Sequence, residues 1–325
     1  MAAPSTQLND GANPGPQAER PPWLNSLFSL WTGLFSFLGE AAILSGQTAQ
    51  WIIRGGVDLR DLLGQMALIG ADSIWIVLVI TSATGAVFAL YTTNLALKIG
   101  FTQFVGGTMS YGFLNELGPL LGGIAFASRS GAAIAAEIGS MVVTEQIDAL
   151  RSMAISPIRY LVVPRVLAAI IMLPLLTAIA DVAGLYGSYL FAMLKGVPSE
   201  SFWESVRTYT IAQDLMNGLL KSVTFGFLVG IVSCQQGLRT SGGATGVGRA
   251  TTSSVVLCVL LIFVADFFMA QILTARDNGR QASLQRPDQM RAAMARLDRR
   301  PVESGASGPC RFSDGANIIL SFALQ

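Results

Sequence analysis

Asn115–Arg165 reads NELGPLLGGIAFASRSGAAIAAEIGSMVVTEQIDALRSMAISPIRYLVVPR. The stretch begins in one apolar segment and ends at the mouth of another, with a short charged connector between them. Gly123, Ala127, Gly131, Ala135 and Gly139 recur every four residues, so a helix places them in one nearly straight stripe. Small residues let a second helix approach the backbone closely. In lipid, where hydrocarbon tails are as apolar as Leu, that contact holds helices together. Arg129, Ala133 and Glu137 repeat with the same spacing but are offset by two residues, which turns them to nearly the opposite face. Charges inside an apolar segment are costly in hydrocarbon, so they must pair or face water, and they mark a functional site by default. Glu116 adds a carboxylate just before Gly118-Pro119, where Pro119 predicts a kink or break.

The connector, Thr144–Arg159, predicts a short amphipathic helix. Thr144 is placed to cap it, Glu145 falls in its first turn, and Ile147, Leu150 and Ala154 form an apolar line. Pro157 ends it. Spacing alone also fits a plain surface loop.

Working outward, the composition matches that of a membrane protein. Of 325 residues, 52% are hydrophobic and only 13% charged, and the mean hydropathy is +0.54. Soluble domains carry roughly 25% charge. Apolar runs long enough to cross a bilayer occur at Met66–Leu97, Thr102–Val143, Tyr160–Leu194, Ile211–Gln235 and Thr251–Leu273. They contain isolated charges: Asp72, Asp181, Lys221 and Asp266. The fold class expected is an all-α polytopic membrane protein with an N-terminal interfacial helix and about five transmembrane helices.

The flanks differ from this core. Residues 1–22 are polar and rich in Pro, Gly, Asn and Gln, the composition of a disordered tail. Residues 23–65 hold an amphipathic helix, with Trp23, Leu27, Trp31, Leu34, Phe35 and Leu38 on one face and uncharged polar residues opposite. Trp anchors on such a helix favour a position in the membrane interface, with a true span as the alternative. Residues 66–274 form the membrane domain. The Arg-rich tail, 275–325, is expected to be disordered. Lys/Arg bias puts the connector in the cytoplasm and the C-terminus outside, although the tail itself carries the opposite signal. Between the third and fourth runs, Ser201–Glu204 reads as a capping box opening a short surface helix.

Several function classes are excluded. The chain has no His, so it can have no catalytic His base, His metal ligand or Ser-His-Asp triad. Its three Cys are far apart, which argues against a zinc site or dithiol. The Gly-rich loop Gly237–Gly248 lacks the Lys of a P-loop, so any ATP-driven work requires another subunit. No basic patch with interleaved aromatics suggests nucleic acid. Neither catalytic residues, cofactor nor metal is expected. The N-terminal segment has neither a secretory nor a transit-peptide pattern, which favours a bacterial membrane.

ELGPLLGGIAFASRSGAAIAAEIGSM followed by VTEQIDALRSMAISPIRYLVVPRV resembles the MlaE/YrbE family, the permease subunits of ABC transporters that move lipids with MCE-domain proteins. The resemblance runs from about Met66 to Leu273. It takes in LPLLTAIADVAGLYGS at Leu173, LLKS at Leu219 and GLRTSGGATGVGRATTSSVV from Gly237, the last most like the cyanobacterial and plastid branch. It implies a non-catalytic permease working as a homodimer. A separate ABC ATPase subunit would dock on the connector as a coupling helix, and an MCE-domain partner would exchange phospholipid or a related lipid. It also implies a lipid path lined by Leu90, Tyr91, Glu116 and Leu117, and a polar network of Arg129, Glu137 and Asp181. ATPase coupling would fall to Glu145, Asp148, Leu150 and Arg151. The location implied is the bacterial inner membrane, with the plastid inner envelope as alternative. Asn115 stands where many relatives have Arg, and Tyr91 where many have Gln. Without that Arg, tight gripping of a phosphate is less expected. The alternative from another class is an ion-coupled secondary transporter or channel, using Glu116, Arg129, Glu137 and Asp181 as a relay.

Overall fold

The computed structural model describes residues 22–54 and 58–298, with side chains described over 35–54 and 58–276. The expected tail at 1–22 and the faces assigned to Trp23, Leu27, Trp31 and Leu34 lie outside these residues, apart from the helical backbone. All regular structure among the described residues is helical: α1 (Pro22–Arg54), α2 (Leu59–Gly70), α3 (Ile74–Ile99), α4 (Val105–Gly112), α5 (Gly118–Phe126), α6 (Ala132–Val143), α7 (Gln146–Ser152), α8 (Val163–Leu194), α9 (Ser199–Tyr209), α10 (Ala212–Leu238) and α11 (Gly243–Asp298).

By length and apolarity, four segments can cross a membrane: Leu59–Ile99, Ile158–Leu194, Ala212–Leu238 and Gly243–Arg276. The first starts earlier than the expected Met66, because Asp58 caps α2 and a 3₁₀ turn at Ala71–Ser73 passes α2 directly into α3. The expected second span, 102–143, is helical along its length but is not among the four. Its Gly, Ser and charged residues lower its hydropathy, and it is divided between α4, α5 and α6.

α4, α5 and α6 are joined by two π turns, Phe113–Leu117 and Ala127–Gly131. The expected break at Pro119 is therefore a widening of the helix. Gly118 donates its N–H five residues back to Phe113 O, and Pro119, which has no N–H to give, falls in the first turn of α5.

The small-residue stripe forms the predicted seam, and its partner is α10. A Cβ on Gly123 would meet Phe225, one on Gly131 would meet Val229 and Ser233, and one on Gly139 would lie 2.7 Å from Thr240 Oγ1, two residues past the end of α10. Ala127 and Ala135 are fully buried along the same line. α10 turns Gly226 and Gly230 to α8, where a Cβ on Gly226 would lie 2.6 Å from Ala169 O. α3 and α8 run in the same direction, since Gly70 meets Met172 and Gly85 meets Gly184. The core is centred on Phe126, Leu173, Leu176, Phe225 and Val229, all fully buried.

α1 packs through Phe37, Leu44 and Thr48, with Gln235 donating to Phe37 O at 3.1 Å and Arg239 pairing with Glu40 at 3.1 Å. Phe35 and Leu38, from the expected apolar face, point outward. The helix thus turns the side of Phe37, Leu44 and Thr48 to the bundle. α9 starts at Ser199 with Pro198 at its cap, not at the capping box expected at Ser201. It lies on α4, where Ser205 accepts from Gly107 N–H at 2.9 Å.

The chain divides into two compact units at Ala270/Gln271. The helical trace of α11 continues beyond the expected boundary at 274 to Asp298. The rest of the Arg-rich tail expected from 275 onward, residues 299–325, lies outside the described residues. Between α10 and α11 the turn is short, with Gly242 and Gly243 in the left-handed region at φ 88° and 71°.

Candidate functional site

Glu116 sits in the first π turn, and the widened helix turns its carboxylate toward α10. There Lys221 donates to Glu116 Oε2 at 2.7 Å. The same Nζ lies 3.1 Å from Asp266 Oδ1 on α11, close enough to pair although not aligned as a hydrogen bond. The Lys221 side chain is only 2% exposed, while that of Glu116 is nearly half exposed. Three segments distant in sequence thus converge on one ammonium. Two carboxylates against one ammonium leave the cluster with a formal charge of −1, and its Glu116 end is open.

Arg129, from the second π turn, pairs with Asp72 at 2.8 Å. Directly beside them, Ser73 and Ser130 share a hydrogen bond at 2.8 Å, and Ser130 also donates to Ile69 O. Glu137 pairs with Arg165 at 2.7 Å, and Arg165, 4% exposed, also donates to Leu161 O. Asp181 is buried on α8 with neither carboxylate oxygen bonded among the described residues. One oxygen fills the place that a side chain on Gly118 would take. Thr177, one turn earlier, is buried against Gly122 with its hydroxyl also unbonded.

The expected network of Arg129, Glu137 and Asp181 is therefore not one cluster but two separate ion pairs and a carboxylate with no bonded partner among the described residues. Eight residues of helix between Arg129 and Glu137 amount to about 12 Å, too far for direct pairing. Each finds its partner, where it has one, on a neighbouring helix. The partners Asp72, Arg165, Lys221 and Asp266 are absent from the sequence-based site. Their signal was charge within or at the edge of an apolar run.

Of the expected lipid-path residues, Leu90, Glu116 and Leu117 are half-buried and Tyr91 is 69% exposed. An apolar groove of about 700 Å³ lies between α3 and α8 and takes in none of the four. Asn115 bonds back to Tyr111 O at 3.3 Å.

The connector is helical over Gln146–Ser152. Thr144 closes α6, donating to Ser140 O, instead of capping α7. Glu145 takes the cap position with φ 58°. This left-handed residue separates α6 from α7. Ala154, also left-handed at φ 58° and exposed, ends the helix three residues before Pro157 and lies off the apolar line. Ile147 is buried and Leu150 half-buried, while Asp148 and Arg151 pair at 2.9 Å on the exposed side.

No cluster of three His, Cys, Asp or Glu able to hold a metal occurs among the described residues.

The model of the permease MlaE family matches residues 62–272, which takes in both π turns, the connector and all three residues of the Lys221 cluster. The chain belongs to the MlaE permease family. Among relatives of this family, it is 39% identical over 246 residues to a probable ABC transporter permease protein of Synechocystis, covering 75% of this chain and 92% of the relative. A probable ABC transporter permease protein of Rickettsia typhi is 38% identical over 247 residues, covering 76% and 93%. The chloroplastic protein TRIGALACTOSYLDIACYLGLYCEROL 1 of Arabidopsis thaliana is 34% identical over 260 residues, covering 79% and 73%. An MlaE-type ABC transporter permease is a transmembrane, non-catalytic component, and this chain is a multi-pass protein of that kind.

Proposed function

We propose that this MlaE-type permease moves phospholipid or a related lipid between the membrane and an MCE-domain partner. It acts as a homodimer, energised by a separate ABC ATPase, in the bacterial inner membrane. The observation that carries the reading is the Lys221 cluster. A buried ammonium holding a half-open Glu116 is an expensive arrangement in hydrocarbon, and such arrangements mark transport paths. With a formal charge of −1 and Asn115 in place of a second cation, the cluster disfavours an anionic headgroup and suits one carrying an amine. Leu117 adjoins it, and Leu90 and Tyr91 would line the same path at the subunit interface.

α7 supports the ATPase part of the reading. It is short, anchored by Ile147, and presents Glu145, Asp148 and Arg151 outward. The ion-coupled alternative is less well supported. Glu116, Arg129 and Glu137 are each paired with a residue on another segment and not with one another, which leaves no continuous relay.

Purification in mild detergent with mass spectrometry of proteins and lipids tests the proposal. An ATPase, an MCE-domain protein and phospholipid are expected together. Recovery of the chain without a nucleotide-hydrolysing partner, together with ion-dependent transport, would favour the alternative.

A further inference from the structure

Between Asp72, in the turn ahead of α3, and Lys98, in its last turn, the chain carries no charge and, at 1.5 Å per residue, is long enough to cross a hydrocarbon core of ~30 Å. Asp72 closes that uncharged stretch at one end. Its ion pair with Arg129 is open to the surroundings, with the two side chains 64% and 45% exposed. The only hydrogen bond of the Arg129 guanidinium among the described residues goes to Asp72, so its other N–H groups are free. Asp72, Trp75 and Val79 follow one another at helical spacing, and all point outward. The same face leads into the groove between α3 and α8, bounded by Trp75, Val79 and Ser82 on one side and Val182, Ala183 and Tyr186 on the other. From Asp72 to Ser82 is about 15 Å along the helix, the depth of one leaflet.

The geometry points to a phospholipid site on this outer face, separate from the Lys221 cluster. The headgroup of a zwitterionic phospholipid sits on the ion pair, its phosphate on Arg129 and its amine beside Asp72, and one acyl chain lies in the groove. An exposed pair of opposite charges complements a zwitterion, and charge-assisted contacts to phosphate are the strong ones. The wall below is almost wholly apolar, as a chain requires, and Trp75 stands at the interface level where Trp is favoured. The site rests on α3 spanning the membrane and not on the transport path through Glu116.

The test uses the full chain in vesicles containing phosphatidylethanolamine with a photoactivatable group on its acyl chain. Adducts are mapped by mass spectrometry. They are expected to concentrate at Ser82 and Tyr186 over the exposed α11 positions Leu260 and Phe263. Arg129→Gln should lower the groove yield about tenfold, the loss of one charge-assisted contact. Val79→Trp, at an exposed position that folding does not depend on, should lower it similarly by filling the groove. Glu116→Gln should leave it unchanged, which keeps this result readable if the transport reading fails. Groove labelling no higher than on α11, or insensitive to both groove variants, overturns the site. Equal labelling by phosphatidylglycerol overturns the zwitterionic headgroup, and a protein segment crosslinking into the groove of the assembled complex overturns the lipid.

Discussion

Lys221 and Glu116 meet at 2.7 Å across 105 residues of chain, and the contact joins the π turn ahead of Pro119 to the middle of α10. Removing the ammonium would leave Glu116 and Asp266 as neighbouring carboxylates with no compensating charge. Breaking a buried pair in this way costs on the order of 3–5 kcal/mol. Lys221→Met is thus expected to lower thermal stability sharply in detergent and to abolish transport. The double variant Lys221→Met/Glu116→Gln should recover part of the stability, because one orphaned charge is gone. A single variant as stable as the parent would show that the pair is not buried in the assembled protein.

The helix seams make a separate prediction. At Gly226 an added Cβ meets Ala169 O at 2.6 Å, backbone that cannot move aside without separating α10 from α8. Gly226→Ala is expected to destabilise by about 1–3 kcal/mol, the cost of overpacking. At Gly39 nothing lies within 4 Å, so Gly39→Ala should be neutral or stabilising by up to ~1 kcal/mol through helix propensity. Thermal unfolding of the two variants side by side checks the contrast, and equal effects would place the seam elsewhere.

These two sites also show what could be read from the chain and what could not. The ladder Gly123–Gly139 was legible because a helix needs only period four to bring small residues into line, and close approach needs no knowledge of the partner. The partner itself was not legible. Nothing local distinguishes α10 from α8 as the helix that Gly131 meets. The charge pairs are the stronger case. Glu116, Arg129 and Glu137 stood out as costly groups, but their partners lie on α10, on the α2–α3 junction and at the start of α8. Pairing of that kind follows from which helices become neighbours. Pro119 was legible as an irregularity, yet the form it takes depended on Gly118 finding Phe113 O five residues back. At the connector, Thr144 is taken up in closing α6, and the left-handed Glu145 takes the cap position that the capping preference of Thr144 had suggested for it.

On α7, Asp148 and Arg151 are both largely exposed, so their pair contributes little to folding. Asp148→Arg is expected to change stability by no more than about 0.5 kcal/mol. It reverses charge at the centre of the proposed docking face. Association with the ATPase and transport-coupled hydrolysis should therefore fall while the thermal unfolding curve stays in place. Pull-down and turnover assays separate the two effects. Unchanged association and turnover would remove α7 from the coupling interface.

Asp181 gives the opposite expectation to Lys221, although both are buried on spanning helices. Lys221 is held by two carboxylates, whereas Asp181 has no bonded partner among the described residues and lies against the bare backbone of Gly118. A buried polar group left unsatisfied costs about 1–3 kcal/mol, and Asp181→Ala removes it without adding bulk at the α5–α8 contact. The cavity left behind is small, so stability should stay level or rise. If transport falls while stability holds, Asp181 is kept for function at the expense of packing, and dependence of the residual transport on an ion gradient would then be the decisive measurement. If Asp181→Ala is instead as destabilising as Lys221→Met, the carboxylate has a partner in the assembled protein, and the convergence of Thr177 and Asp181 on Gly118 and Gly122 marks where that partner binds.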